Sequence, residues 1–131
     1  MIMADTSVWI DYLAGVVNRH AGYLDSSIIR GSVVIGDLIF LDILQGIRND
    51  QQYRLTKQSL QTLEHVEMLG TTKAEKCAEN YRALRKKGIT IRKTADVIIA
   101  SFCIDMELPL LFIGRDFQPF VDHLGLINAL R

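Results

Sequence analysis

The first ten residues constrain the fold of this chain more than any other stretch. A short apolar run at residues 1–4 ends on Asp5, and Thr6 and Ser7 then lead into a second apolar segment. A run of this kind followed by hydroxyl residues predicts a buried strand that feeds a helix. Asp5 would then lie at the carboxyl end of the strand, where open α/β sheets bind their ligands. The alternative is that Asp5 only caps the helix, with Thr6 and Ser7 as further capping residues.

The rest of the chain alternates short apolar runs with helical patterns. Predicted strands cover residues 2–4, 33–35 and 109–113, and residues 65–69 could form another. Predicted helices cover residues 7–14, 18–29, 38–47, 52–63, 72–87 and 95–106. Thr72 and Thr94 are the expected caps of the last two helices, and the final helix is apolar enough to be buried. This alternation predicts an α/β sandwich with a parallel sheet, and we expect residues 1–131 to form one domain.

Composition excludes several classes of protein. Hydrophobic residues make up 49% of the 131, and 15 basic residues balance 15 acidic ones, which predicts a globular chain with no general affinity for nucleic acid. A local basic patch remains compatible with this balance. No apolar run reaches the ~18 residues of a membrane helix, and the start lacks a signal-peptide pattern. We therefore expect a cytoplasmic protein with no membrane partner, in which Cys77 and Cys103 are reduced core thiols.

Four acids stand in apolar surroundings, unlike the other acids of the chain. Asp5 follows the first strand, and Asp42 lies in a mostly apolar helix. Asp96 opens the buried helix, and Asp116 follows the last strong strand. Each alone is explained as a cap or turn residue, but ionised carboxylates near a core are costly unless they are paired or bind a metal. A cluster of three or four carboxylates indicates a site for Mg²⁺, or Mn²⁺, and no His or Cys occurs at zinc spacing.

Four segments together carry a family resemblance. They are DTSVWID at 5–11, GDL at 36–38 with LQG at 44–46, TADVIIA at 94–100, and LL at 110–111 with RDF at 115–117. On these motifs the chain resembles PIN-domain ribonucleases of the VapC toxin type. The resemblance implies a three-layer α/β/α sandwich with a mostly parallel central sheet, and a Mg²⁺-dependent endoribonuclease that cleaves RNA. It also implies inhibition by a cognate antitoxin protein and assembly as a homodimer.

Two positions depart from the family pattern. The second acid is Asp42 where the family usually has Glu, and Gly114 stands where the family usually has an acid. The resemblance then implies Asp5, Asp42 and Asp96 as metal ligands, with Asp116 as the nearest substitute for the missing acid. In the implied mechanism Asp5 and Asp96 bind the metal directly or through water. Asp42 or Asp116 orients the attacking water or holds a second ion, so all four acids are candidate catalytic residues.

One dense basic stretch offers candidate contacts to RNA. Its members are Arg82, Arg85, Lys86, Lys87, Arg92 and Lys93, and Arg115 adjoins the fourth acid. The alternative is a solvated helix end whose cations interact with the helix dipole.

Two other functions compete with the nuclease. The departures at positions 42 and 114 leave open a catalytically weak PIN-like binding module that keeps the antitoxin-binding surface. A receiver of the response-regulator kind would require an acid pair at Asp5 and a Lys after Ile113, and the chain has neither.

Overall fold

Four short parallel strands form the centre of the computed structural model, which describes residues 1–130. They are β1 (Ile2–Ala4), β2 (Val33–Gly36), β3 (Glu64–Val66) and β4 (Leu110–Leu111), in the order β3-β2-β1-β4. The register pairs Met3 of β1 with Val34 of β2 on one side and with Leu110 of β4 on the other. β1, β2 and β4 are buried throughout. Strands covered on both faces carry continuous apolar runs, which is why the sequence indicates them clearly.

Seven helices cover the sheet within the described part of the chain. They are α1 (Thr6–Leu13), α2 (Arg19–Ile29), α3 (Asp37–Gln45), α4 (Asp50–Gln61), α5 (Thr71–Lys86), α6 (Thr94–Asp105) and α7 (Gln118–Leu124). The chain runs from β1 through β2 to β3 in one direction and then returns to β4 beyond β1. Because such crossovers are right-handed, helices α1 to α4 cover one face and α5 and α6 cover the other. The predicted three-layer α/β/α sandwich with a parallel sheet is confirmed.

Two capping predictions are wrong. α5 begins before Thr72, after Gly70, whose φ of 142° is a backbone conformation that favours glycine. α6 includes Thr94, because the carbonyl oxygen of Lys93 already accepts the N–H groups of the first helical turn. The sequence did not predict α7 at all. Its signals are Pro119 in the first turn and Gly125, with a φ of 81°, directly after the last residue.

The start of α3 is held by a close contact with the loop that precedes α5. A Cβ on Gly36 would overlap the side chain of Met68, which is fully buried. Asp37 Oδ1 accepts hydrogen bonds from the backbone N–H of Leu38 at 2.9 Å and of Met68 at 3.2 Å. These contacts fix where α3 begins and therefore where its side chains project.

Both cysteines are free and buried, as expected of core thiols. Among the described residues no helix is long and apolar enough to cross a bilayer.

Candidate metal and active site

The acid site lies at the carboxyl edge of the sheet, between β1 and β4. The strand order reverses here, and open α/β sheets leave a crevice for ligands at such a point. Asp5 follows β1, and its N–H donates to the carbonyl oxygen of Leu111 at 2.9 Å. The carbonyl oxygen of Asp5 accepts the N–H groups of Val8 and Trp9 at the start of α1. Strand and helix thus hold the backbone of Asp5 from both sides.

Three further acids reach the same cavity from three different elements. Asp42 comes from α3, Asp96 from the first turn of α6, and Asp116 from the turn after β4. With Asp5 they line a cavity of about 600 Å³. Asp5 and Asp96 are half-buried, whereas Asp42 and Asp116 are exposed. The structure therefore brings together all four acids that the sequence singles out, while Gly114 is not among the residues that line this cavity.

Burial and mutual repulsion make the inner carboxylates hard to ionise. The pKa of Asp96 is raised to about 6, first by burial and then by the negative charge of Asp5, with smaller contributions from Asp116 and Asp42. Lys93, which also lines the cavity, opposes this rise in the pKa of Asp96. Burial likewise raises the pKa of Asp5, and its hydrogen bond from the Ser7 hydroxyl partly offsets the rise. The site thus holds more negative charge than its own cations compensate.

Two polar side chains orient the acids. Ser7 Oγ donates to Asp5 Oδ2 at 3.1 Å, and Gln45 Nε2 donates to Asp42 Oδ1 at 3.3 Å. Thr6 and Ser7 do not cap α1, because Asp5 occupies the N-cap position. Gln45 was not predicted as a site residue, although its place three residues after Asp42 on a helix puts the two side chains on one face.

The donor set suits a cation that prefers oxygen ligands. Within residues 1–130 no three Asp, Glu, His or Cys side chains lie close enough together to hold one ion among them. At most two of the four carboxylates can therefore ligate the same ion directly in this conformation. Mg²⁺ in proteins keeps several waters and is often held by only one or two carboxylates. The cavity fits that mode of binding, and a bound cation would also offset the repulsion that raises the pKa of Asp96.

The basic stretch divides into two groups. Lys93 lines the acid cavity, and together with Arg92 and Arg115 it lines a second cavity beside it. Four cations line neither of these cavities. Arg82, Arg85 and Lys86 lie in the later part of α5, and Lys87 follows its last residue.

Trp9 in the first motif and Tyr12 directly after it belong to the packing of the fold. Trp9 is buried, with a T-shaped contact to Tyr12 at 6.0 Å between ring centroids. Tyr12 donates its hydroxyl to Asp25. Neither ring lines the acid cavity.

Comparison with known proteins identifies a matching family. The model of the PIN domain family matches residues 2–120. Ribonuclease VapC11 of Mycobacterium tuberculosis is 25% identical over 125 residues, which span 90% of each chain. A VapC ribonuclease of Mycobacterium bovis shows the same identity and coverage.

Solved structures share the fold. FitAcB from Neisseria gonorrhoeae superposes with a TM-score of 0.77 at 20% identity, covering 98% of this chain and 97% of that one. VapBC2 from Rickettsia felis, bound to a DNA fragment from its promoter, gives a TM-score of 0.76 at 18% identity and covers 98% of both chains.

Proposed function

The chain belongs to the PIN domain family, and from that membership we propose that it is a divalent-cation-dependent endoribonuclease. It is the toxin of a toxin–antitoxin pair, as VapC proteins are, and its substrate is RNA. One observation carries the proposal. Four acids from four separate elements line a single cavity at the switch point of the sheet. A fold that only displayed a binding surface would gain nothing from acids whose ionisation burial makes unfavourable.

Asp5 and Asp96 are the proposed direct ligands of the cation, with Asp42 as a further ligand through water. Mg²⁺ is the proposed ion and Mn²⁺ an alternative, because both take carboxylate and water oxygens. When bound, such an ion lowers the pKa of a water molecule and polarises a phosphodiester oxygen. Asp42 and Asp116 are the exposed acids of the cavity, and we propose that they orient the attacking water.

Neighbouring side chains hydrogen-bond two of these acids and supply a positive charge beside them. Ser7 holds one oxygen of Asp5, and the carboxylate keeps a further acceptor site for a ligand. Gln45 does the same for Asp42. Lys93 contributes the positive charge in the cavity wall and is the residue that contacts a phosphate brought to the acids.

A protein antitoxin is the proposed partner, since a toxin–antitoxin complex from Klebsiella pneumoniae is among the solved structures that share this fold. We further propose a single domain over residues 1–131, a homodimer and a cytoplasmic location, where RNA and the antitoxin are both present. Buried reduced thiols agree with that location.

The test is cleavage of RNA by the purified chain, with Mg²⁺ and with EDTA. Asp5→Asn should lower the single-turnover rate by about 10²-fold or more, because it removes a charged ligand while keeping the size of the side chain. Asp50→Asn changes an exposed acid outside the cavity and serves as the control. Cleavage by Asp5→Asn at the wild-type rate would contradict the assigned role of Asp5. A wild-type protein that binds the antitoxin but cleaves no RNA would favour the catalytically weak binding module.

A further inference from the structure

A second cavity of about 310 Å³ adjoins the acid cavity. The two share Lys93, Asp96 and Asp116 in their walls. The remaining wall comes from the segment between α5 and α6, from the turn that leads into α7 and from the first turn of α7. These residues are Ile89, Thr90, Ile91, Arg92, Arg115 and Pro119. We call this cavity the side groove. Because of this position, a bound polymer that lies across the acids can continue directly into the side groove.

The side groove carries two arginines whose guanidinium groups have no protein partner. Arg92 and Arg115 are exposed, and within residues 1–130 neither side chain forms a hydrogen bond, an ion pair or a ring contact. A guanidinium offers five N–H donors in a fork that matches the oxygens of a phosphate. Both arginines are therefore available to a phosphate in the groove.

The floor of the side groove is apolar and fixed. Ile89 and Ile91 are half-buried and pack against the hydrophobic core, and Pro119 lies in the first turn of α7. An apolar floor beside two unpaired guanidinium groups suits a ligand with a flat apolar part and an adjacent anion. A nucleotide has this chemistry. An RNA duplex keeps its bases stacked inside the helix, so only an unpaired nucleotide can place its base on this floor.

We propose that the side groove binds the unpaired nucleotide next to the phosphodiester that is cleaved. Arg92 and Arg115 contact its phosphate, and the apolar floor contacts its base. Arg92 and Arg115 act as positioning residues that hold the strand in register with the acids. This inference rests on the proposed function, because the groove is assigned by its continuity with the acid cavity.

The first test measures binding of a single-stranded RNA oligonucleotide in EDTA, where no cleavage occurs. R92Q/R115Q should weaken binding about 10- to 100-fold at low salt, because charge-assisted contacts to phosphate are lost. The slope of log K against log salt should fall in magnitude by about 1.4, or roughly 0.7 for each lost contact to a single strand. R48Q/R54Q is the matched control, since it removes the same charge from exposed arginines outside both cavities.

Two further arms separate a positioning role from general attraction. R92K/R115K keeps the charge but loses the guanidinium fork, so its affinity should lie between that of R92Q/R115Q and that of wild type. A blunt RNA duplex of the same sequence should compete at least about tenfold less well than the single strand. With Mg²⁺, R92Q/R115Q should raise the RNA concentration at half-maximal rate about tenfold while the maximal single-turnover rate changes less than threefold. Equal binding by R92Q/R115Q and R48Q/R54Q, or equal competition by duplex and single strand, would overturn the proposal.

The outcomes distinguish this inference from the proposed function. A wild-type protein that binds the single strand through the arginines but never cleaves it would reject the nuclease and keep the groove. A protein that cleaves RNA normally while R92Q/R115Q binds like the control would keep the nuclease and reject the groove.

Discussion

Replacing Asp96 with Asn should stabilise the protein in the absence of metal. Ionised Asp96 is unfavourable in the folded state, because its pKa is about 6 instead of the ordinary 3.8. One unit of pKa corresponds to about 1.4 kcal/mol, so the full shift corresponds to about 3 kcal/mol of unfolding free energy. Because Asp96 is only half-buried, we discount this for solvent screening to about 1–2 kcal/mol. For a chain of this length the gain corresponds to a rise in Tm of roughly 3–10 °C.

The sign of the pH dependence follows from the same shift in the pKa of Asp96. Below pH 3.8 the carboxyl is protonated in both states and carries no penalty. Wild-type stability falls as pH rises from about 4 to about 6, because the folded state holds the proton longer than the unfolded state. The difference in Tm between Asp96→Asn and wild type should therefore be largest above pH 7 and vanish near pH 4.

Thermal melting in EDTA from pH 4.5 to pH 8 measures this difference in Tm. Asp50→Asn is the matched control, because Asp50 also lies in the first turn of a helix but is exposed. It loses the same favourable interaction with the helix dipole without relief from burial, so its Tm should stay level or fall slightly. Added Mg²⁺ should stabilise wild type more than Asp96→Asn. Equal Tm values for wild type and Asp96→Asn at pH 8 in EDTA would refute the electrostatic account of this site.

Three other perturbations test the arrangement around the acids. Asp42→Glu should raise the Mg²⁺-dependent cleavage rate at saturating metal with little change in Tm, since the longer side chain gains about 1.5 Å of reach. An equal or lower rate would mean that Asp42 is adapted to its site or has no part in it. Gly36→Ala should lower the free energy of unfolding by about 1–3 kcal/mol, because the new methyl group overlaps Met68, and Met68→Ala in the same chain should reduce that loss. Additive effects of the two substitutions in urea unfolding would show that this contact is not the cause. Neutralising the cations at positions 85–87 should weaken RNA binding less than R92Q/R115Q does, because none of the three lines the acid cavity or the side groove. A larger loss of RNA affinity than R92Q/R115Q causes, measured over a salt titration, would place the RNA across α5.

Local sequence pattern was sufficient for most of the secondary structure. β1 has the predicted bounds, and every predicted helix occurs within two residues of its predicted ends. These elements are indicated by apolar spacing, which depends on the burial of a strand or of one helix face. The capping residues Thr72 and Thr94 were predicted wrongly because the backbone of Gly70 and Lys93 begins each helix earlier. A helix start depends on backbone geometry as well as on the preference of one side chain.

The sequence by itself also determined which acids needed an explanation, since Asp5, Asp42, Asp96 and Asp116 all stand in apolar surroundings. Only the tertiary structure decided that they line one cavity, because their distances depend on the strand order β3-β2-β1-β4 and on the handedness of the crossovers. It also decided which cations share that cavity or the side groove. Residues 85–87 and residues 92–93 are close in sequence, but only residues 92–93 line the acid cavity or the side groove. Charges and apolar periods can be read along a chain, whereas contacts between distant residues exist only once the chain has folded.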